Sequence, residues 1–124
     1  MVGNYAFANT GLKNINLTLN SSTINTFWGD NCFEKCINLT DVHILSASYL
    51  SKEMFKDCTS LKNVEFKNDI MGYMYPRVFE NCTSLKDIKL PSKALYIAEE
   101  IFKNCTNLLT VGFNKYTESN VKLI

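Results

Sequence analysis

The chain has 124 residues, of which 46% are apolar and 20% charged, and its formal net charge is +1. That length makes one domain, residues 1–124, and a charge so near zero argues against nucleic acid or an anionic membrane as the main partner, since both call for a basic patch. No apolar run approaches the roughly 18 residues of a spanning helix, so no membrane insertion is expected, and the sequence opens without the charged and apolar regions of a secretory leader.

Taken in chain order, the apolar positions repeat. A shortened copy, Phe7-Thr10-Leu12-Ile15-Leu17, precedes four full ones: Phe33-Cys36-Leu39-Val42-Ile44, Phe55-Cys58-Leu61-Val64-Phe66, Phe79-Cys82-Leu85-Ile88-Leu90 and Phe102-Cys105-Leu108-Val111-Phe113. Successive Phe residues lie 26, 22, 24 and 23 positions apart. The residue before each Phe is Ala6, Cys32, Met54, Val78 and Ile101, and the residue five before it is Val2, Trp28, Leu50, Met74 and Ile97. So many inward positions cannot be buried by one copy alone, and neighbouring copies must stack to complete the core.

Each copy divides in two. From the residue before Phe to the Cys, apolar positions at i, i+1 and i+4 cover one face of a short helical turn. Ser51-Lys52-Glu53 and Ala98-Glu99-Glu100 suit the start of such a turn, with Ser51 as its cap and the acidic residues favoured by the helix dipole. The Leu-x-x-Val-x-Leu stretch then alternates apolar with polar, the pattern of a short strand with one face inward. One strand per copy, all running the same way, predicts a parallel sheet with neighbours about 4.8 Å apart and a height of about 20–25 Å. The repeats fall at about 2–27, 28–49, 50–73, 74–96 and 97–120, with 121–124 a partial repeat or cap.

The string Val2-Gly3-Asn4-Tyr5-Ala6-Phe7, the runs Asn81-Cys82-Thr83-Ser84-Leu85-Lys86-Asp87-Ile88 and Leu90-Pro91-Ser92, and the recurring F-x-x-C-x-x-L-x-x-[VI]-x-[LIF] resemble the BspA-like leucine-rich repeats over nearly the whole chain. The resemblance implies a right-handed, curved solenoid of the α/β leucine-rich-repeat type. Its parallel sheet would lie on the concave side, with short helical turns or irregular segments on the convex side. It also implies a protein-binding module, commonly at the surface of anaerobic bacteria and protists and sometimes in their viruses. A cell-surface or extracellular location is therefore favoured, with virion or cytoplasm open because no leader is read. The family carries no catalytic motif to transfer.

The remaining chemistry-bearing residues have structural readings. Cys36, Cys58, Cys82 and Cys105 share one core position, where a free thiol acts as a small hydrophobe. Five cysteines form no disulfide framework, and Cys32 with Cys36 supplies only two of the ligands a zinc site needs. No metal and no cofactor are expected. Sequons at Asn16, Asn20, Asn38, Asn81 and Asn104 arise mostly from the repeat itself. His43, the single histidine, falls outward on a strand beside Asp41 while Cys36 points inward, so no nucleophile and base converge and the chain reads as no enzyme.

The outward positions of the strands are free of packing. One column reads Asn14, Asp41, Asn63, Asp87, Thr110 and the next Asn16, His43, Glu65, Lys89, Gly112. Because concave solenoid surfaces commonly bind, the candidate partner site is Asn14, Asn16, Asp41, His43, Asn63, Glu65, Asp87 and Lys89. The longest inter-repeat segment, Thr18 to Asn31, adds Phe27 as a loop candidate, with Trp28 read as the oversized member of its core stripe. The expected function is an adhesin-like surface or receptor-binding module whose protein partner includes host or cell-surface proteins. The alternative is a structural subunit or segment of a larger assembly, a virion included. The sequence shows no polar capping module at either end, so that alternative predicts end-to-end self-association or docking through the ends.

Overall fold

The computed structural model describes residues 2–19, 28–47, 49–67 and 70–114. They form eight strands: β1 (Asn14–Leu19), β2 (Asp41–Ala47), β3 (Tyr49–Leu50), β4 (Asn63–Phe66), β5 (Ile70–Met74), β6 (Asp87–Leu90), β7 (Lys93–Ile97) and β8 (Thr110–Phe113). All pairings are parallel, and the chain winds as a solenoid. Each full circuit passes through a turn segment, a first strand and then a second strand or bridge. The first strands make β1-β2-β4 and β6-β8, and the second strands make β3-β5-β7. An isolated bridge between Val2 and Trp28 continues the stripe Leu50, Met74, Ile97, which stand opposite one another in β3, β5 and β7.

The inward stripes are those the period predicts. Phe7, Phe33, Phe55, Phe79 and Phe102 stack ring on ring along the solenoid, with centroids 5.4, 5.5, 5.6 and 5.8 Å apart and planes within 11° of parallel. Leu39, Leu61 and Leu85 are buried beside them, as are Met54 and Val78. Trp28 packs against this core, its ring 5.9 Å from that of Phe33.

The turn segments differ from the helical expectation. No helix occurs among the described residues. Instead, two residues per repeat, one two positions before the Phe and one two after, take φ between 52° and 61°: Tyr5 and Asn9, Asn31 and Lys35, Glu53 and Asp57, Arg77 and Asn81, Glu100 and Asn104. Left-handed backbone at non-glycine residues costs roughly 1–2 kcal/mol each, and here it breaks the segment before a helix can close. It also aims N–H groups along the solenoid axis. Asn31 N donates to Lys52 O, Phe33 N to Met54 O and Lys35 N to Lys56 O at 2.8–3.0 Å, and the same three rungs recur one repeat on from Glu53, Phe55 and Asp57. The strain is thus offset by hydrogen bonds between repeats. Ser51 does not cap a helix: its hydroxyl donates to Gly29 O of the preceding circuit at 2.8 Å. Gly29 is required there, because a Cβ would lie 2.4 Å from the Asn4 nitrogen.

The cysteine column belongs to the same scheme. Cys36, Cys58, Cys82 and Cys105 each donate Sγ–H to the carbonyl of the Phe in the preceding repeat, Phe7, Phe33, Phe55 and Phe79, at 3.0–3.3 Å. A small hydrophobe with a weak donor meets a carbonyl that would otherwise be only partly satisfied. In the shortened copy Thr10 holds the slot, and its hydroxyl donates to Phe7 O at 2.8 Å.

One seam interrupts the first sheet, between β4 and β6. After β4, Lys67 N donates to Ile44 O, and after β8, Asn114 N donates to Leu90 O. The residue at that place after β6 is Pro91, which has no N–H. The Phe66 carbonyl takes a side-chain donor from two repeats away instead, Asn114 Nδ2 at 3.1 Å.

Candidate binding face

The strand registers build the outward columns. Asn14, Asp41 and Asn63 stand opposite one another across β1, β2 and β4, and so do Asn16, His43 and Glu65. Beyond the seam Asp87 faces Thr110 and Lys89 faces Gly112. Alternation along each strand turns these side chains outward while Val42, Val64 and Ile88 turn in.

Neighbouring columns interlock. Asn63 Nδ2 and Thr40 Oγ1 both donate to the Asp41 carboxylate at 2.7 Å. The Thr40 bond, then the Asn63 bond, holds the Asp41 carboxyl below its ordinary range. Thr110 Oγ1 donates in the same way to Asp87 Oδ1. Glu65 Oε1 receives Lys67 Nζ at 3.0 Å and contacts His43 Nδ1 at 3.1 Å, and these hydrogen bonds, Lys67 first, hold the Glu65 carboxyl below its ordinary range as well. Lys89 makes no ion pair among the described residues.

At the seam the face opens into a depression of about 470 Å³. Asp41, His43, Asn63, Glu65, Asp87 and Lys89 line it together with Asn114, and Val64, Phe66 and Ile88 supply an apolar floor. Six of the eight predicted strand residues therefore converge. Asn14 and Asn16 stand in the same columns one strand away, outside the depression. Phe27 lies outside the described residues. Asn114 was not legible as a lining residue, because it follows the last strand and reaches the Phe66 carbonyl two repeats back.

The second-strand sheet presents a different surface that sequence reasoning missed. Tyr49, Tyr73 and Tyr96 form one register column. Each stands six residues before a Phe, so the repeat period carries the signal. On the turn side, Arg77 Nε lies 2.9 Å from Glu53 Oε2 and 3.6 Å from Glu80 Oε1, and its Nη1 lies 3.5 Å from Glu100 Oε1. Burial pushes Glu53 up, but the hydrogen bonds from Arg77 and Asn31 outweigh it and leave the carboxyl below its usual range. Among the described residues no group of three His, Cys, Asp or Glu side chains stands close enough to hold a metal ion.

A family model for the BspA type leucine rich repeat region matches residues 1–122 in six copies. Among solved structures, a leucine-rich repeat protein from Bacteroides ovatus ATCC 8483 is similar at 26% identity and a TM-score of 0.71 over 90% of this chain. The match covers 33% of that protein, so the chain spans about a third of its length. No curated protein matches.

Proposed function

The chain belongs to the BspA-type leucine-rich repeat family, and from that premise we propose that it is a non-enzymatic module binding a protein partner on the outward face of its first sheet. Repeats of this family serve generally in protein–protein interaction. The observation that carries the choice of face is the depression at the β4–β6 seam. There, acidic and basic side chains surround an apolar floor, a mixture suited to a polar partner with a small apolar contact. Much of the polar rim is held in place by hydrogen bonds, so little conformational freedom is lost on binding. The finer reading, an adhesin-like or receptor-binding module at a cell surface, rests on the family's tendency. No comparison favours the alternative of a structural subunit docking through its ends.

Photo-crosslinking from Asn63 and Asp87, which line the depression, with Lys103 on the turn side as the control, tests the face. The expected result is a protein adduct from the first two positions that disappears when His43, Glu65 and Lys89 are replaced together by Ala. Stability should change by no more than about 0.5 kcal/mol per site, as at exposed positions. Adducts from Lys103 alone, or capture unchanged in the triple variant, would remove the site from this face.

A further inference from the structure

The outward face of the second sheet is aromatic. Tyr75 joins the column of Tyr49, Tyr73 and Tyr96. Its ring stands edge-on to Tyr49, with centroids 6.0 Å apart and planes at 87°, and lies 6.1 Å from Tyr73, which in turn lies 6.2 Å from Tyr96. Tyr73, Tyr75 and Tyr96 are each 45–47% exposed, and their hydroxyls make no hydrogen bond among the described residues. Tyr49 is held fast: its hydroxyl accepts from Trp28 N at 2.8 Å and donates to Trp28 O at 3.3 Å. A notch of about 370 Å³ lies between Trp28, Tyr49, Tyr75 and Pro76, with Lys52 and Asp30 among its lining.

We propose that this tyrosine stripe binds a proline-rich peptide in the polyproline II conformation. The stripe pairs ring faces with the hydroxyls of Tyr73, Tyr75 and Tyr96, which make no hydrogen bond among the described residues, so its complement is a ligand with apolar rings and unpaired carbonyls. A polyproline II segment has both, because it forms no internal hydrogen bonds. A helical peptide satisfies most of its own carbonyls, and a β-strand partner needs a sheet edge rather than a side-chain face. The four rings and Pro76 carry no charge, which suits a neutral segment. Periods agree too. Tyr49 and Tyr96 are two strands apart, about 9.6 Å, and one polyproline II turn of three residues rises about 9.3 Å. Successive turns of the ligand therefore meet equivalent rings, and the edge-on Tyr49–Tyr75 pair forms the kind of aromatic-walled groove that receives proline.

Titration of the whole chain with an acetylated, amidated decaproline, read by the fluorescence of Trp28, tests the proposal, since Trp28 is the single tryptophan and lines the notch. Saturation below about 1 mM is expected. Tyr73→Ala and Tyr96→Ala should each weaken binding by about tenfold or more, as for aromatic anchors, while Tyr96→Phe, which keeps the ring, should weaken it about two- to fivefold. Lys103→Ala on the turn side should leave the titration unchanged. The absence of saturation overturns the proposal, as does equal binding of a Gly-Ser peptide of the same length or full affinity in the two Ala variants. So does saturation by cellohexaose without decaproline binding, which would make the stripe a glycan platform. Self-association that Tyr96→Ala abolishes, in a chain that ignores decaproline, would likewise overturn it in favour of a second copy. Tyr96→Phe keeps the test decisive should either Ala variant lose its fold.

Discussion

The repeats of Phe79 and Phe102 carry the same residue pattern and differ in their surroundings. Phe79, Cys82, Leu85 and Ile88 are at most 3% exposed, whereas Phe102, Cys105 and Leu108 are only partly buried and Val111 is 47% exposed. An inward position in a solenoid is thus a slot, and the neighbouring repeat is what removes it from water. Residue identity determines which slots exist. Stacking determines what each contributes to stability.

The largest expected effect follows from that contrast. Phe79→Ala opens a cavity between the stacked rings of Phe55 and Phe102 and should cost about 3–5 kcal/mol. Phe102→Ala removes a ring that is already partly solvated and should cost no more than about 2 kcal/mol. Urea denaturation of the two variants measures the gap, and equal shifts in midpoint would mean that the terminal stack is as well covered as the central one.

The thiols report the same contrast kinetically. Burial pushes the Cys58 thiol up to about 12 and raises Cys82 well above its ordinary value, while Cys105, also raised by burial, sits in the half-buried repeat. A thiol reagent at neutral pH should label Cys105 first and reach Cys58 and Cys82 only through opening of the stack. Simultaneous labelling of all three in the native state would show that the central repeats open as readily as the last. The sign with pH is fixed: a thiol whose folded-state value is raised stabilises the fold fully below the unfolded value of 9.0. For Cys58 that contribution is lost as pH climbs from there towards about 12. An alkaline melting series should therefore fall more steeply in the native chain than in Cys58→Ala.

Most of the fold was legible because apolar spacing alone defines a stacked core: every Phe, Leu and Val stripe of the sequence recurs as a stripe of the structure. The turn side was not. Apolar positions at i, i+1 and i+4 suit a helical turn and equally suit a segment with two left-handed residues. Only Asn9, Asn31, Asp57, Asn81 and Asn104, residue types that tolerate that backbone, hinted at the second. The cysteine column was legible as buried, but its S–H bond to the preceding Phe carbonyl depends on the rise between circuits, which no local pattern carries. On the outward face, alternation turned Asp41, His43, Asn63, Glu65, Asp87 and Lys89 outward, in the columns that the strand registers align. It could not show that a ladder bond fails beside them. The tyrosine column was visible in the period at six residues before Phe, yet outward aromatics look the same as inward ones until a second strand gives them a side.

The smallest effect concerns the seam between the two halves of the first sheet. Phe66 O accepts Asn114 Nδ2, and Pro91, at the place where Lys67 and Asn114 donate a backbone N–H, has none to give. Asn114→Ala should then cost about 1 kcal/mol, the net worth of one hydrogen bond. Pro91→Ala supplies the N–H that the neighbouring repeats use, at the expense of a more flexible unfolded chain, so its own effect should lie within about 1 kcal/mol of zero. The informative quantity is the coupling. If the N–H gained in Pro91→Ala takes over the Phe66 carbonyl, Asn114→Ala should cost almost nothing in that background, and the double-mutant cycle should return a coupling of about 0.5–1 kcal/mol. A cost for Asn114→Ala that is the same in the native chain and in Pro91→Ala would mean that the seam is held open by something other than the absent N–H. The depression on the outward face would then owe its shape to the side chains around it rather than to this proline.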